Sequence, residues 1–337
     1  MKSLADEEIG GGSLRIGILG LGVMGRQHAR ALRHLSNTEL VVTSDVSDEA
    51  CSWAKARSKI PHVSRLEDLL AFELDGVINA TPTGMHLDTT RQLLEAGVNT
   101  LVEKPIALNP SSGRELARLA RAYRALLLVG HIERFNPAVV ALKRLIQSGT
   151  LGDIISVYAR RVGVARPVVP DTDVTLDLAI HDIDVIAYLL DRDGRLVLAS
   201  GSRLHPNLVT DHADLVLRYG DAIAFIQANW ITPVKIRRLS VTGTRGSAEV
   251  DYIAQTVHVY EAVPELIKGD AWDFYAVAKE SEPREIQVSR REPLLLELQH
   301  FVNCIAHGTR PAFDDEEALK ALTLAYEAHQ KIRSGDR

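Results

Sequence analysis

The stretch Gly20-Leu21-Gly22-Val23-Met24-Gly25 decides the fold of the amino-terminal part of this chain. It follows the apolar run 14–19 and precedes a helical pattern that starts at Arg26. Gly20 permits a tight turn, Gly22 lets the backbone approach a pyrophosphate without a Cβ atom, and Gly25 lets the helix lie close to the strand. Strand, glycine turn and helix in this order predict a dinucleotide-binding site at the positive end of the helix, where Val23 and Met24 also lie.

A second apolar run, 40–44, predicts which dinucleotide is bound. It ends at Asp45, close to the separation of about 20 residues that is typical of this fingerprint. A carboxylate there accepts hydrogen bonds from the ribose hydroxyls and repels a 2′-phosphate, and the nearest following basic residue is Lys55. We therefore expect NAD rather than NADP. In the alternative interpretation, Asp45 only ends the strand or caps the helical pattern that starts at Asp48.

Length, charge and cysteine content are typical of a two-domain cytoplasmic enzyme. The 337 residues exceed the size at which one core usually divides, and 46% of them are hydrophobic. The net charge of −5 with mixed signs gives no basic footprint for nucleic acid. No apolar run approaches the roughly 18 residues of a membrane span, and the first residues are too acidic for a signal peptide. Cys51 and Cys304 lie in helical patterns, which indicates reduced thiols.

The periodicity changes near residue 130 and predicts two domains after a flexible lead-in over 1–13. From 14 to 130, apolar runs alternate with amphipathic stretches, which predicts a doubly wound parallel sheet of Rossmann type. The rest of the chain, 131–337, predicts an α+β domain with a large, mostly antiparallel sheet and C-terminal helices. Its predicted strands are 154–161, 213–219, 222–230, 238–242 and 248–252. Because few helical segments are available to cover this sheet, we expect one open face and a homodimer or homotetramer.

Two predicted strand ends carry residues suited to a cofactor site. The strand 76–80 is followed by Thr81-Pro82-Thr83-Gly84-Met85-His86, and the strand 99–103 ends in Glu103-Lys104-Pro105. Ligands of parallel sheets lie beyond the carboxyl ends of the strands, so both segments are expected near the dinucleotide. Lys104 is then a candidate for proton transfer, because desolvation and the positive nicotinamide lower the pKa of an ammonium. The alternative is an ordinary solvated surface lysine.

The segment Asp177-Leu178-Ala179-Ile180-His181 is the densest chemical motif of the second predicted domain. In a helix, the four-residue step places Asp177 and His181 on one face. A carboxylate one turn from an imidazole fixes its tautomer and raises its basicity, which suits a general base. The alternative is a helix capped by Asp177 with a structural histidine. A metal site is not expected, since Asp177 and His181 would need a third ligand, and His131 and Glu133 do not have convincing ligand spacing.

Together these residues resemble the Gfo/Idh/MocA oxidoreductase family. The resemblance extends from Ile16 to about Ile332, and its marks are the glycine turn 20–25, Glu103-Lys104-Pro105, and Asp177 with His181. It implies that Lys104 and His181 flank the reacting carbon, with Asp177 contacting the substrate or His181. It also implies that the cofactor is lined by Thr81, Pro82, His86 and Glu103. A substrate hydroxyl would lose its proton to Lys104 or His181 as a hydride passes to nicotinamide, and which of the two is the base stays open.

The stretches 130–137 and 229–238 resemble the branch of this family that oxidises UDP-linked N-acetylhexosamines at C3. The substrate diphosphate could pair with Arg160, Arg161, Lys235 and Arg237, because guanidinium groups match phosphate geometry, although exposed strand charges explain these residues equally well. The candidate substrate residues are Asn136, Tyr158, Arg160, Arg161, Lys235 and Arg237. The alternatives are an inositol or free-sugar dehydrogenase, an NAD-dependent glycoside hydrolase, and a non-catalytic dinucleotide-responsive binding protein.

Overall fold

A computed structural model describes residues 13–57, 60–164, 172–204, 210–261, 282–313 and 315–335. The strands of these ranges are β1 Leu14–Leu19, β2 Thr38–Ser44, β3 His62–Val63, β4 Gly76–Asn79, β5 Asn99–Glu103, β6 Leu127–Gly130, β7 Ile154–Val164, β8 Arg195–Ser202, β9 His212–Tyr219, β10 Ala222–Asn229, β11 Ile231–Gly243, β12 Gly246–Asp251, β13 Thr256–Glu261 and β14 Arg284–Ile286. The helices are α1 Val23–Leu32, α2 Asp48–Arg57, α3 Leu66–Leu70, α4 His86–Glu95, α5 Pro110–Tyr123, α6 Pro137–Gln147, α7 Ile180–Leu190, α8 Pro293–His307 and α9 Asp315–Ser334. Within these ranges no helix has both the length and the apolar character needed to cross a bilayer.

The chain divides into two compact units. The first contains residues 1–132 and 292–323, and the second contains residues 133–291 and 324–337. Helix α8 and the first part of α9 therefore belong to the first unit, whereas the sequence pattern assigned all residues after 130 to the second domain. Helix α8 packs on α1, and its apolar residues Leu298, Phe301 and Val302 share a core with Ile16 and Ile18 of β1.

The first unit is built on a six-stranded parallel sheet with the order β3-β2-β1-β4-β5-β6. The order reverses between β1 and β4, so the carboxyl ends of these two strands form the switch point at which such sheets bind ligands. The predicted Rossmann sheet is confirmed. Strands β1, β4, β5 and β6 are buried along almost their whole length, as expected for a sheet covered on both faces.

The second unit is built on an eight-stranded sheet with the order β14-β13-β12-β11-β7-β10-β9-β8. All of its pairs are antiparallel except β7 with β10, which confirms the predicted mostly antiparallel sheet. Helices α6 and α7 pack against one face, where Val157 and Leu239 are buried. On the other face Tyr158 is 53% exposed and stacks on Phe225 with 4.6 Å between ring centroids.

Candidate active site

The glycine turn of the first unit is shaped by close backbone contacts. Gly20 has a φ of +89°, and a Cβ atom there would lie 2.6 Å from the Ala80 carbonyl oxygen. A Cβ atom at Gly25 would lie 1.8 Å from the Gly20 carbonyl oxygen, so only glycine lets α1 pack this closely on the turn. At Gly22 the space for a Cβ atom is open, since no atom of the described residues other than its chain neighbours lies within 4 Å of that position.

The first turn of α1 is suited to an anion. Gly22 is its N-cap, and among the described residues no side chain caps this turn. The first N–H groups of a helix have no partner within the helix, and the helix dipole makes this end positive. Val23 is exposed and Met24 is half-buried beside this end. The open space at Gly22 therefore fits a pyrophosphate held by backbone N–H groups.

A Gly22→Ala variant separates ligand binding from folding. Gly22 has a φ of −64°, which alanine adopts without strain, so we expect the melting temperature to stay unchanged. We expect NAD affinity to fall about 10-fold or more, because the new methyl group fills the space of the pyrophosphate. Gly25→Ala is the matched comparison and should lower stability by about 1–3 kcal/mol through its backbone clash. Titration calorimetry and thermal melts measure both, and unchanged NAD binding by Gly22→Ala would contradict the assignment.

Asp45 is fixed beside the glycine turn by backbone donors. Its Oδ2 accepts from the Leu21 N–H at 2.6 Å, and its Oδ1 accepts from the Ser47 N–H at 2.8 Å. Each carboxylate oxygen can accept further hydrogen bonds, so the side chain can still serve ribose hydroxyls. The structure thus brings Asp45 to the turn that follows β1.

The loop after β4 is tied down by Asn79. Its amide donates to the hydroxyls of Thr89 and Thr90 at 2.8 and 2.9 Å, and its Oδ1 accepts from the Thr81 hydroxyl at 2.7 Å. Asn79 is fully buried, so these bonds orient the end of β4 and the start of the loop that contains Pro82. Asn79 was not predicted as a site residue, although a polar residue at the end of an apolar strand pattern was the available signal.

His86 connects this loop to the loop after β5. One ring nitrogen lies 2.9 Å from the Thr81 carbonyl oxygen and the other 2.8 Å from the Pro105 carbonyl oxygen. A carbonyl oxygen only accepts, so both bonds form together only when both ring nitrogens carry hydrogen. His86 is 1% exposed, and this geometry assigns it to positioning the two loops.

Glu103 and Lys104 lie at the carboxyl end of β5. The Glu103 carboxylate lies 2.8 Å from Nε2 of His28, which is fully buried on α1. Burial alone would raise the pKa of Glu103, but the hydrogen bond and charge of His28, with the charges of Lys104 and His86, lower it below its usual value. Glu103 is therefore an ionised carboxylate, and Lys104 beside it is half-buried.

Glu297 is a buried carboxyl group that was not predicted from the sequence. It is 0% exposed on α8, where Leu294, Leu298 and Phe301 belong to the apolar core. Neither of its oxygens has a hydrogen-bond partner among the described residues. Burial first, and then the charge of Glu103, raise the pKa of Glu297 well above its usual value. A glutamate at a position where the helical periodicity calls for an apolar residue was the available signal.

The Asp177 and His181 motif begins the second unit's central helix with an irregular turn. Residues Thr175–Ala179 form a π-helical turn, and α7 continues from Ile180. Such wide turns inside helices are frequent at functional sites. Asp177 and His181 are half-buried, whereas almost all residues around them in 172–186 are buried. The regular α-helical spacing expected for this segment is interrupted by the wide turn, yet both side chains stay partly accessible.

Arg161 lies in a buried ion-pair network on the helix-covered face of the sheet. Its guanidinium donates to the Asp182 carboxylate at 2.8 and 3.0 Å and to Glu133 at 2.9 Å, and Tyr252 donates to Asp182 at 3.2 Å. Burial alone would lower the pKa of Arg161, but the charges of Asp182 and Glu133 raise it well above its usual value. Both carboxylates are thus matched to Arg161, and the geometry does not favour its predicted pairing with a substrate phosphate.

The other candidate substrate residues occupy different environments. Asn136 is buried, accepts from the Ala138 N–H as the N-cap of α6 and donates to the Tyr252 carbonyl, so it serves the fold. Tyr158 and Arg160 lie on the open face of the sheet, opposite to Arg161, and Arg160 donates to Gln227 at 3.0 Å. Lys235 is exposed and Arg237 is half-buried, both on β11.

The described residues contain no group of three or more histidine, cysteine, aspartate or glutamate side chains that could hold a metal ion. Two buried aspartates of the second unit, Asp182 and Asp184, are bonded to arginines, whereas the buried Asp173 pairs with His329. Besides the network of Arg161, Asp184 on α7 receives two parallel hydrogen bonds from Arg134 at 2.8 and 2.7 Å. Sequence spacing alone did not reveal these pairs, because the partners are separated by 21 to 50 residues.

Comparison with known proteins gives matches over most of the chain. A family model for the Gfo/Idh/MocA oxidoreductases with an NAD-binding Rossmann fold matches residues 14–131, and a model for the Gfo/Idh/MocA C-terminal domain matches residues 139–249. The chain is 29% identical to UDP-N-acetylglucosamine 3-dehydrogenase of Acidithiobacillus ferrooxidans, with 93% of this chain and 95% of that protein covered. It is 27% identical to scyllo-inositol 2-dehydrogenase (NAD(+)) of Bacillus subtilis, with 96% and 95% covered.

The fold is also similar to that of the first of these relatives. A solved structure of the Acidithiobacillus ferrooxidans UDP-N-acetylglucosamine 3-dehydrogenase superposes with a TM-score of 0.82 at 25% identity. The superposition covers 96% of this chain and 98% of that one.

Proposed function

The chain belongs to the Gfo/Idh/MocA oxidoreductase family and is a dehydrogenase acting on CH–OH groups, and within this family we propose that it oxidises C3 of a UDP-linked N-acetylhexosamine with NAD. The observation that carries the proposal is the half-buried Lys104 at the carboxyl end of β5, next to the ionised Glu103. An amine at this edge of a Rossmann sheet can exchange a proton with a ligand bound beyond the strands.

The chain's own residues supply binding and proton transfer. NAD, when bound, supplies the acceptor of the hydride. The first turn of α1 holds the pyrophosphate, Asp45 accepts from the ribose hydroxyls, and the loops positioned by Asn79 and His86 line the cofactor. Lys104 and His181 are the two candidate bases for the substrate hydroxyl, and either must be neutral to take its proton. Asp177 supports this role by stabilising the imidazolium that forms when His181 is the base.

Two observations support a nucleotide-linked amino sugar as the substrate. The chain matches a relative that is a UDP-N-acetylglucosamine 3-dehydrogenase over nearly the full length of both proteins. Residues 133–137 and 229–238, which make up most of the two stretches with the resemblance to that branch, belong to the second unit, as do Asp177 and His181.

The function is tested by incubating the protein with NAD and UDP-sugars, inositols and free aldoses. We expect NADH absorbance with a UDP-N-acetylhexosamine. Turnover only with inositols or aldoses would reassign the substrate within the family. Sugar release without net NADH would indicate a glycoside hydrolase that uses NAD transiently. Binding of NADH without turnover of any substrate would indicate a non-catalytic binding protein and would contradict the proposed function.

The preference for NAD is tested at Asp45. A variant with Asp45→Ser and Val46→Arg removes the ribose acceptor and its repulsion toward a 2′-phosphate, and it adds a positive charge at an exposed position. We expect weaker NAD binding and stronger NADP binding, measured as kcat/KM for each cofactor. The single variant Val46→Arg is the control that keeps the carboxylate and should retain the preference for NAD. Unchanged relative kcat/KM values in the double variant would mean that Asp45 is only structural.

We also propose that the protein is a cytoplasmic homo-oligomer without nucleic-acid or membrane partners. The open face of the second unit's sheet, which contains the exposed Tyr158, supports association with another copy through this face.

A further inference from the structure

Two buried arginines of the second unit, Arg161 and Arg134, bind a carboxylate through the same edge of the guanidinium group. Arg161 donates from Nε and Nη2 to the two oxygens of Asp182, at 2.8 and 3.0 Å. Arg134 donates from Nε and Nη2 to the two oxygens of Asp184, at 2.8 and 2.7 Å. This edge carries two parallel N–H groups whose spacing matches the oxygens of a carboxylate or a phosphate.

In Arg237, the same edge of the guanidinium group, formed by Nε and Nη2, binds no acceptor among the described residues. Its Nη1 donates to the carbonyl oxygens of Val162 at 2.6 Å and Ile236 at 2.8 Å, which fixes the plane of the guanidinium group. A guanidinium carries five N–H donors, so Nε and Nη2 retain three. In the part of the chain that the structure describes, these three donors have no hydrogen-bond acceptor and Arg237 forms no ion pair. The group is oriented, half-buried and able to donate.

The charges around Arg237 leave it suited to an added anion. It pairs with Arg161 across β11 and β7, so both side chains start on the helix-covered face, and the charge of Arg161 acts on Arg237. The negative charges that act on it are Asp182 and Glu133, both bonded to Arg161, and Asp177. Burial first, and then the charge of Arg161, lower the pKa of Arg237 to about 10. A bound oxyanion would compensate both effects.

We propose that Arg237 is the anion anchor of the substrate site and binds a phosphate group of the substrate through Nε and Nη2. The identification of this group as part of a nucleotide diphosphate rests on the proposed function. The geometry selects Arg237 from the basic residues that the sequence suggested. Arg161 is bonded to two carboxylates, Arg160 lies on the opposite face, and Lys235 lacks a planar fork.

The proposal is tested by titrating UDP and uridine into the NADH-saturated protein, in which the dinucleotide site is filled. Arg237→Met should weaken UDP binding about 10- to 100-fold, the range expected for a lost charge-assisted bidentate pair, and leave uridine binding unchanged. Arg237→Lys keeps the charge without the fork and should give an intermediate affinity. Arg238→Met, an exposed arginine one residue along the same strand that pairs with Asp251, is the matched control and should bind UDP as the wild type does.

The outcomes separate this inference from the proposed function. UDP binding that is unchanged in Arg237→Met would overturn the anchor, even where a UDP-sugar is turned over. Equal losses of UDP and uridine binding would also overturn it, since they indicate a collapsed site. If the wild type turns over no UDP-sugar but binds inorganic pyrophosphate in an Arg237-dependent manner, the anchor stands and the nucleotide-sugar assignment falls. If the wild type binds neither UDP nor pyrophosphate, both the Arg237 anchor and the nucleotide-sugar assignment are contradicted.

Discussion

A Lys104→Met variant should turn over its substrate at least about 10²-fold more slowly than the wild type, because a general base or acid contributes roughly this much to a proton-transfer step. Methionine keeps the length and apolar stem of lysine and removes only the ammonium. Lys104 is half-buried at the end of β5, so the change should leave the melting temperature and NAD affinity nearly intact. Stopped-flow single-turnover measurements separate the chemical step from cofactor binding.

His181→Asn is the companion variant for the second candidate base. Asparagine keeps a planar hydrogen-bonding group and removes the titratable ring, so a base at this position should also lose at least about 10²-fold in kcat. A larger loss in melting temperature than in kcat would instead assign His181 to the fold. If both variants keep activity near that of the wild type, neither residue is part of the mechanism.

Arg161→Met should destabilise the second unit by about 3–5 kcal/mol. The variant leaves the buried Asp182 and the half-buried Glu133 without their shared positive partner, and an uncompensated buried charge carries a penalty of this size. Arg237, the neighbouring guanidinium, keeps its bonds to backbone carbonyls and can compensate only part of the charge. Chemical denaturation, monitored by circular dichroism, measures the free energy of unfolding.

Arg160→Met is the matched control for that experiment. It replaces the adjacent residue of the same strand, which is exposed on the opposite face and donates to Gln227. Surface substitutions of this kind usually change stability by less than about 0.5 kcal/mol. Equal stability losses in the two variants would contradict the assignment of Arg161 to a buried network.

Local signals in the sequence sufficed to predict the core of the fold. The glycines of the turn 20–25 act within a few residues of each other, and the period of apolar residues distinguishes buried parallel strands from half-covered antiparallel ones. The return of α8 to the first unit could not be predicted in this way. It depends on a core that Phe301 of α8 shares with strand residues such as Ile18, although more than two hundred residues of chain separate them.

The positions of candidate site residues were predictable only where a motif carries its own context. The placement of Asp45 and Lys104 at strand ends could be predicted, because each follows a strand whose carboxyl end is defined by the fold. Arg160 and Arg161 looked equivalent in the sequence, since alternation shows that neighbours face opposite sides of a sheet but not which side is covered. The carboxylates that bind Arg161 lie on two other elements, so its burial became apparent only in the folded chain.

The carboxyl group of Glu297 also affects how the protein can be redesigned. Between the usual glutamate pKa and the raised pKa in the fold, the unfolded chain binds fewer protons than the folded chain, so the free energy of unfolding falls as the pH rises. A redesign guided by stability alone would therefore place leucine or methionine at this position. Such a change would also remove a polar group whose pKa is coupled to the charge of Glu103. A thermostable version of the enzyme should therefore keep Glu297, so that the electrostatic environment of Glu103 and of the adjacent Lys104 stays unchanged.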